Sequence, residues 1–338
     1  MPDIQEPDWY VVPLERQELR LLQRRTNLEG LLRLLAYVAL LALFAGLCVA
    51  GFGVGWTVLF FILYGCVFTY SDSIEHETHH RTAFRSTWLN ETVHWVAGVL
   101  TFKEAVRDRW VHARHHTYTY YRGTDLEIEW EKPPRLWLVV VNTLFRVQGT
   151  FTNMSYTVQD ALHPLVPVSK ATRICVPPNQ YRKVVWSARA QLACYLAVIG
   201  LAIGLHSWWP ILFLFGARML EMYTGVVSAV HHGGLAENVP DWRLNTRTVL
   251  VNPVTRLLHW NMNYHVEHHM HPTVPFHSLA RLHGEIASQS PPAYPNTLVA
   301  WNEMIRALWR QRREPSYSVH RPLPQEIDAD PGQDTVGP

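Results

Sequence analysis

Residues 34–71 read LLAYVALLALFAGLCVAGFGVGWTVLFFILYGCVFTYS, with no charged side chain anywhere in the run. A helix crosses the hydrocarbon of a bilayer with about 20 apolar residues, so this stretch predicts two crossings. Gly51, Gly53 and Gly55 cluster at its midpoint, where a tight turn needs angles that glycine adopts freely. The run starts too late and extends too far for a cleavable signal peptide. A second apolar stretch, about 190–230, is divided by His206-Ser207-Trp208-Trp209-Pro210. It predicts two further helices, with the Trp pair at the interface where amphipathic rings settle. Two shorter apolar runs, 88–102 and 136–145, fall below spanning length and read as interfacial or re-entrant helices.

Arg16, Arg20, Arg24, Arg25 and Arg33 precede the first crossing, and neither short turn carries a Lys or Arg. The positive-inside rule then puts both termini and the 72–189 segment in the cytoplasm. The expected fold class is an all-α membrane protein: four transmembrane helices as two hairpins, with a cytoplasmic helical cap. Its expected parts are a polar N-terminal tail (1–29), a membrane domain (30–285), and a C-terminal cytoplasmic helix and tail (286–338). Polar, Pro-bearing composition predicts loose order in the first 29 residues and from about 315 onward. Residues 298–309 are amphipathic and read as a packing helix.

Composition narrows the chemistry. The formal charge is only +2, and no basic block is interleaved with aromatics, so nucleic acid is not an expected partner. Cys48, Cys66, Cys175 and Cys194 are scattered with no C-x-x-C pair, which excludes an iron–sulfur or zinc-ribbon framework. The unusual entry is 19 His. Eleven of them form four clusters: His76, His79 and His80; His112, His115 and His116; His231 and His232; His265, His268 and His269. Spacings of three and four put side chains on one helical face. Imidazoles crowded together repel when protonated and are costly to bury without a metal. Zinc takes four ligands, so eleven His overfill one site, and two ions accommodate them. Imidazole suits Zn, Cu, Fe and Ni alike, so the ligands alone do not name the metal.

At these residues the chain resembles the integral-membrane fatty acid desaturase/hydroxylase superfamily, whose pattern is H-x(3–4)-H, H-x(2–3)-H-H and (H/Q)-x(2–3)-H-H. His76 and His80 match the first box, with His79 as an extra. His112, His115 and His116 match the second, and His265, His268 and His269 the third. His231 or His232 stands where relatives take a ligand just after the last crossing. The continuation His269-Met270-His271-Pro272, and on to Leu282-His283, resembles the bacterial branch, hence an expected bacterial inner membrane.

The resemblance implies two Fe ions and O2-dependent desaturation or hydroxylation of an unactivated C–H bond. The implied substrate is a fatty acyl or other lipid-like molecule, with a small secondary metabolite or hydrocarbon as the alternative. The sequence holds neither a His-Pro-Gly-Gly haem motif nor a G-x-G-x-x-G. Electrons are therefore expected from an external ferredoxin, rubredoxin or cytochrome-type donor with its reductase. Arg81, Arg85, Lys103, Arg107, Arg109 and Arg114 would steer an acidic donor or anchor at lipid headgroups.

Three further readings are open. His76-Glu77-Thr78-His79-His80 also fits the H-E-x-x-H of a membrane-embedded zinc metalloprotease, with Glu77 as base, although this leaves the other boxes unexplained. Arg218 and Glu221 lie in the fourth crossing as a bridge or as a contact for a polar substrate group. Asp160, Asn90 and Glu104 are candidate partners for ligand imidazoles or ordinary surface groups.

Overall fold

The computed structural model describes residues 6–128 and 131–324. Among the described residues the fold is helical, with β pairing confined to two isolated bridges, Thr248 with Tyr264 and Val249 with Tyr294. The chain divides into two compact units. One takes 26–113 and 140–225; the other takes the described parts of 1–25, 114–139 and 226–338.

The first unit carries the apolar helices. Among the described residues three are long and apolar enough to cross a membrane: Leu28–Val49, Val54–His79 and Pro178–Gly204. They leave Leu35, Leu43, Val58, Leu196 and Ile203 exposed, a surface suited to lipid rather than water. The link between the first two bends through Gly51 (φ 78°) and Gly53 (φ 102°), both left-handed. Tyr64, Phe68, Phe102, Tyr195, Leu214 and Ala217 form the core of this unit. The 88–102 run becomes a helix over Thr87–Thr101 and the 136–145 run one over Leu136–Leu144, both short of a bilayer's width.

The expected fourth crossing is not one continuous helix. It starts at Trp209, opens into a π-helical segment over Leu212–Gly216, and breaks at 219–223 before Thr224–Ala229. The charges at the break explain it. Arg218 is buried and paired with Asp72, while Glu221 is buried and bonded to Arg146 at 2.5 Å. Each side chain faces a partner from a distant part of the unit, and the backbone departs from helical geometry between them. Gly225 follows the break, where its backbone approaches the Thr143 carbonyl so closely that a Cβ would lie 1.9 Å from that oxygen.

In the second unit, Val230, Val249, Ala300, Met304 and Leu308 form the core, with Leu136, Val139 and Tyr294 packed around it. The amphipathic stretch at 298–309 is the Thr297–Gln311 helix, capped by Asn296 and buried along Ala300, Met304, Ala307 and Leu308. It is a packing helix, as its pattern predicts.

The loose order expected for the termini is not what residues 6–25 and 315–324 show. Trp9 lies flat on Trp242, and Val12 and Leu22 are buried. Val319 donates its N–H to the Gly234 carbonyl, and the buried Arg321 donates to the Thr246 and Pro292 carbonyls. A few isolated anchors hold segments whose average composition is polar. Residues 1–5 and 325–338 of those two expected tails lie outside the described residues.

Candidate metal centre

The first box sits where the second apolar helix ends. The chain runs from Val54–Phe68 through a short turn into Ser71–His79, with His80 as its cap. The second box occupies the end of the Ala105–Thr117 helix, within which the division between the units falls. Glu104 starts that helix by accepting from the N–H groups of Val106 and Arg107. His265–Met270, the third box, is a short, fully buried helix. Its approach passes through Trp260 (φ 51°) and Asn261 (φ 56°), pinned where Asn261 Nδ2 donates to the Phe276 carbonyl at 2.6 Å.

In the first unit His76, His80 and His112 come together, with candidate ligand atoms within 4.8 Å of one another. His80 Nε2 and His112 Nε2 are 2.9 Å apart, and the His76 and His112 rings lie 4.3 Å apart. His79 takes another direction. Its Nε2 lies 3.1 Å from Asp108 Oδ2 and 3.5 Å from Glu75 Oε1, and Lys103 bridges both carboxylates. His94, which sequence reasoning passed over, lies between Thr78 (3.1 Å) and the Ala105 carbonyl (2.9 Å) and ties two box helices together.

The second unit brings together the rest. His115, His232 and His269 offer ligand atoms within 4.8 Å of one another, and His265 Nε2 is 3.1 Å from His232 Nε2 and 3.2 Å from His269 Nε2. His231 stacks on His265 at 4.1 Å, and its Nε2 is buried with no hydrogen-bond partner among the described residues. The His116 ring is 5.0 Å from that of His268.

Hydrogen bonds fix which nitrogen of three rings carries the proton. His115 Nδ1 donates to Asp125 Oδ2 at 2.8 Å, and His232 Nδ1 donates to the Asn245 carbonyl at 2.9 Å. The Thr119 hydroxyl gives its hydrogen to the His115 carbonyl and accepts from His269 Nδ1 at 3.3 Å. With all three protons at Nδ1, three Nε2 lone pairs face one another. Burial opposes protonation of four of these rings. His231, His265 and His269 are held well below the ordinary imidazole range, by desolvation first and by neighbouring imidazoles second. His232 is pushed down to about 3 by burial and then His115. Convergent, unprotonated imidazole nitrogens with their far nitrogens anchored are the arrangement a divalent metal needs.

Other candidates serve elsewhere. Asp160 receives Arg107 at 2.8 Å together with Ser169 and Thr172, and Asn90 closes a turn against Phe84 and Ser86. Arg81 and Arg109 pair with Glu91, Lys103 with Glu75 and Asp108, and Arg107 with Asp160. Much of the expected basic patch is thus engaged within its own unit. Glu77, the would-be protease base, accepts from Thr82 at 2.6 Å. Asp125, Asn245 and Thr119, the partners of the His115, His232 and His269 rings, were missed by sequence reasoning because no spacing motif marks them.

Apolar helices of spanning length and clustered imidazoles define a helical membrane protein with a candidate histidine metal site. A family model described as fatty acid desaturase matches residues 54–301, well over half of the chain and across every box. The chain belongs to the fatty acid desaturase family, and is an oxidoreductase of lipid metabolism. No curated protein matches it significantly.

Proposed function

We propose that this chain oxidises an unactivated C–H bond of a fatty acyl or similar lipid-like substrate with O2, using two iron ions held by its histidines. The observation that carries the reading is the convergence of the His115, His232 and His269 Nε2 lone pairs, each backed by a donated Nδ1–H. One ion takes His76, His80 and His112; the other takes His115, His232, His265 and His269. His231, His116 and His268 are the remaining candidate ligands. His79, turned toward carboxylates, orients the first set rather than binding. Bound iron would supply O2 activation and the redox change that C–H cleavage requires.

The chain's own residues set up that chemistry. Asp125, Asn245 and Thr119 hold imidazoles in the tautomer that presents Nε2. Burial keeps His232 and His269 neutral at physiological pH, so no proton competes with the metal there. The apolar helices offer a lipid-compatible route for an alkyl chain, and substrate placement selects desaturation or hydroxylation. We further propose that 209–229 forms a fourth, broken crossing, that the two helix pairs are membrane hairpins, and that the termini and the metal centre are cytoplasmic. Electrons then come from an external ferredoxin, rubredoxin or cytochrome-type donor.

The test is lipid profiling of a host with and without the gene, alongside the His115→Ala and His268→Ala variants. The proposal predicts a new unsaturated or hydroxylated acyl species that both variants abolish while still inserting in the membrane. Unchanged acyl lipids with the wild-type gene would refute the substrate class, and full activity in either variant would refute the site.

A further inference from the structure

Residues 6–25 lie across two of the ligand-bearing stretches of the second unit. Trp9 Nε1 donates to the Thr117 carbonyl at 2.9 Å, one residue past His116. The Val12 N–H is 3.3 Å from Met270 Sδ, one residue past His269. Further along, Gln23 donates to Thr273 at 2.7 Å and Glu18 pairs with Arg281 at 2.7 Å. Between these points the Trp9 ring lies flat on Trp242, with centroids 4.3 Å apart and planes 3° from parallel. Beside it, Arg243 sits 3.6 Å over the Tyr10 ring and is held by Asp241 and the Gln289 carbonyl.

Trp242 connects this strap to the metal ligands. Its Nε1 donates to Thr119 Oγ1 at 3.1 Å. That hydroxyl donates to the His115 carbonyl at 2.8 Å and accepts from His269 Nδ1 at 3.3 Å. Thr119 therefore has its one hydrogen and both lone pairs engaged. It has no spare geometry, so displacing Trp242 displaces the acceptor that sets the tautomer and direction of His269. Trp9 covers the outer face of Trp242 and is itself only partly buried, so the chain from surface to ligand is short: Trp9, Trp242, Thr119, His269.

We infer that the N-terminal segment is a clamp on the metal centre, in which Trp9 and Trp242 act through the Thr119 hydroxyl as positioning residues for His269. The inference rests on the metal-binding reading above. It gives a role to a stretch whose composition reads as tail, and it makes metal affinity depend on residues that never touch the ion. Loss of such an outer partner typically lowers metal affinity about 10–100-fold.

The experiment uses the full chain in detergent, loaded with Co(II), reading affinity by chelator competition and ligand-field geometry by visible absorption. Thr119→Val, which removes the hydroxyl, is expected to weaken binding about 10–100-fold and shift the Co(II) bands. Trp9→Ala, at the partly exposed end, is expected to shift the same bands and weaken binding by a smaller factor. Thr119→Ser, which keeps the hydroxyl, is expected to restore the wild-type spectrum. Wild-type affinity and spectrum in either Thr119→Val or Trp9→Ala overturns the clamp. His115→Ala separates the two levels of the inference. If it too binds Co(II) like the wild type, the metal reading itself fails; if it alone loses the ion, only the clamp does.

Discussion

Replacing Asp125 with Asn changes one atom at the point where the imidazole of His115, a proposed ligand, is anchored. The carboxylate is buried and accepts four N–H groups: Oδ2 takes His115 Nδ1 at 2.8 Å and Tyr120 N at 2.9 Å, and Oδ1 takes Glu127 N at 2.9 Å and Ile128 N at 3.3 Å. An amide has an acceptor at one end only. Whichever way it sits, its NH2 opposes two N–H donors, each left without an acceptor at about 1–3 kcal/mol. The NH2 is expected at the Oδ2 position, the less costly orientation because only there can one of the opposed donors give up its proton: His115 moves its proton to Nε2, which removes the lone pair offered toward His232 and His269. Metal affinity should then fall about 10–100-fold, or about 1.4–2.8 kcal/mol at 1.4 kcal/mol per tenfold. The assay is chelator competition on iron-loaded protein in detergent, with the thermal unfolding midpoint of the metal-free protein measured in parallel. Iron affinity equal to wild type would refute the view that His115 binds through Nε2 and that Asp125 sets its tautomer.

Other outcomes follow from the same geometry. Arg218→Met leaves the half-buried Asp72 without its partner and should cost up to about 3 kcal/mol, read as lost thermal stability in detergent, while adding Asp72→Leu should recover part of that loss; no recovery would mean that the unpaired carboxylate is not the source of the loss. Gly225→Ala drives a Cβ toward the Thr143 carbonyl and should destabilise by about 1–3 kcal/mol, more if the backbone cannot shift, whereas an unchanged unfolding midpoint would show that the two segments are not closely packed. His283 donates from Nδ1 to Glu267 at 2.5 Å, and this bond raises its pKa above the ordinary value. A raised folded value means that the contribution is full below about pH 6.5 and is lost as pH rises through the folded pKa. The stability gap between wild type and His283→Gln should therefore be wider at pH 6 than at pH 9, and a gap independent of pH would contradict the assignment.

The apolar runs and the three boxes were legible because each is a local pattern. A charge-free run longer than one crossing and H-x-x-H-H on a helix need no tertiary knowledge. The break in the fourth apolar stretch was not legible. Arg218 is visible in the sequence, but its partner Asp72 is 146 positions away, and composition cannot tell a charge bridged inside a bundle from one that interrupts a helix. The anchors of the proposed ligand rings were hidden for a similar reason. The Asn245 group that matters is a backbone carbonyl, and Thr119 acts through one hydroxyl shared by three donors and acceptors. Asp160, Asn90 and Glu104 were reasonable on residue type, yet they hold an ion pair, a turn and a helix start. Trp9 was misread as part of a tail because one aromatic anchor barely moves the average polarity of its surroundings.

Metal content measured on the purified full-length chain, by elemental analysis together with Mössbauer spectroscopy after growth on labelled iron, tests the central claim most directly. The account predicts two irons per chain in a nitrogen-rich environment, and loss of iron from the His115→Ala variant. A single zinc per chain, or iron retained at full occupancy when His115 is replaced, would contradict it.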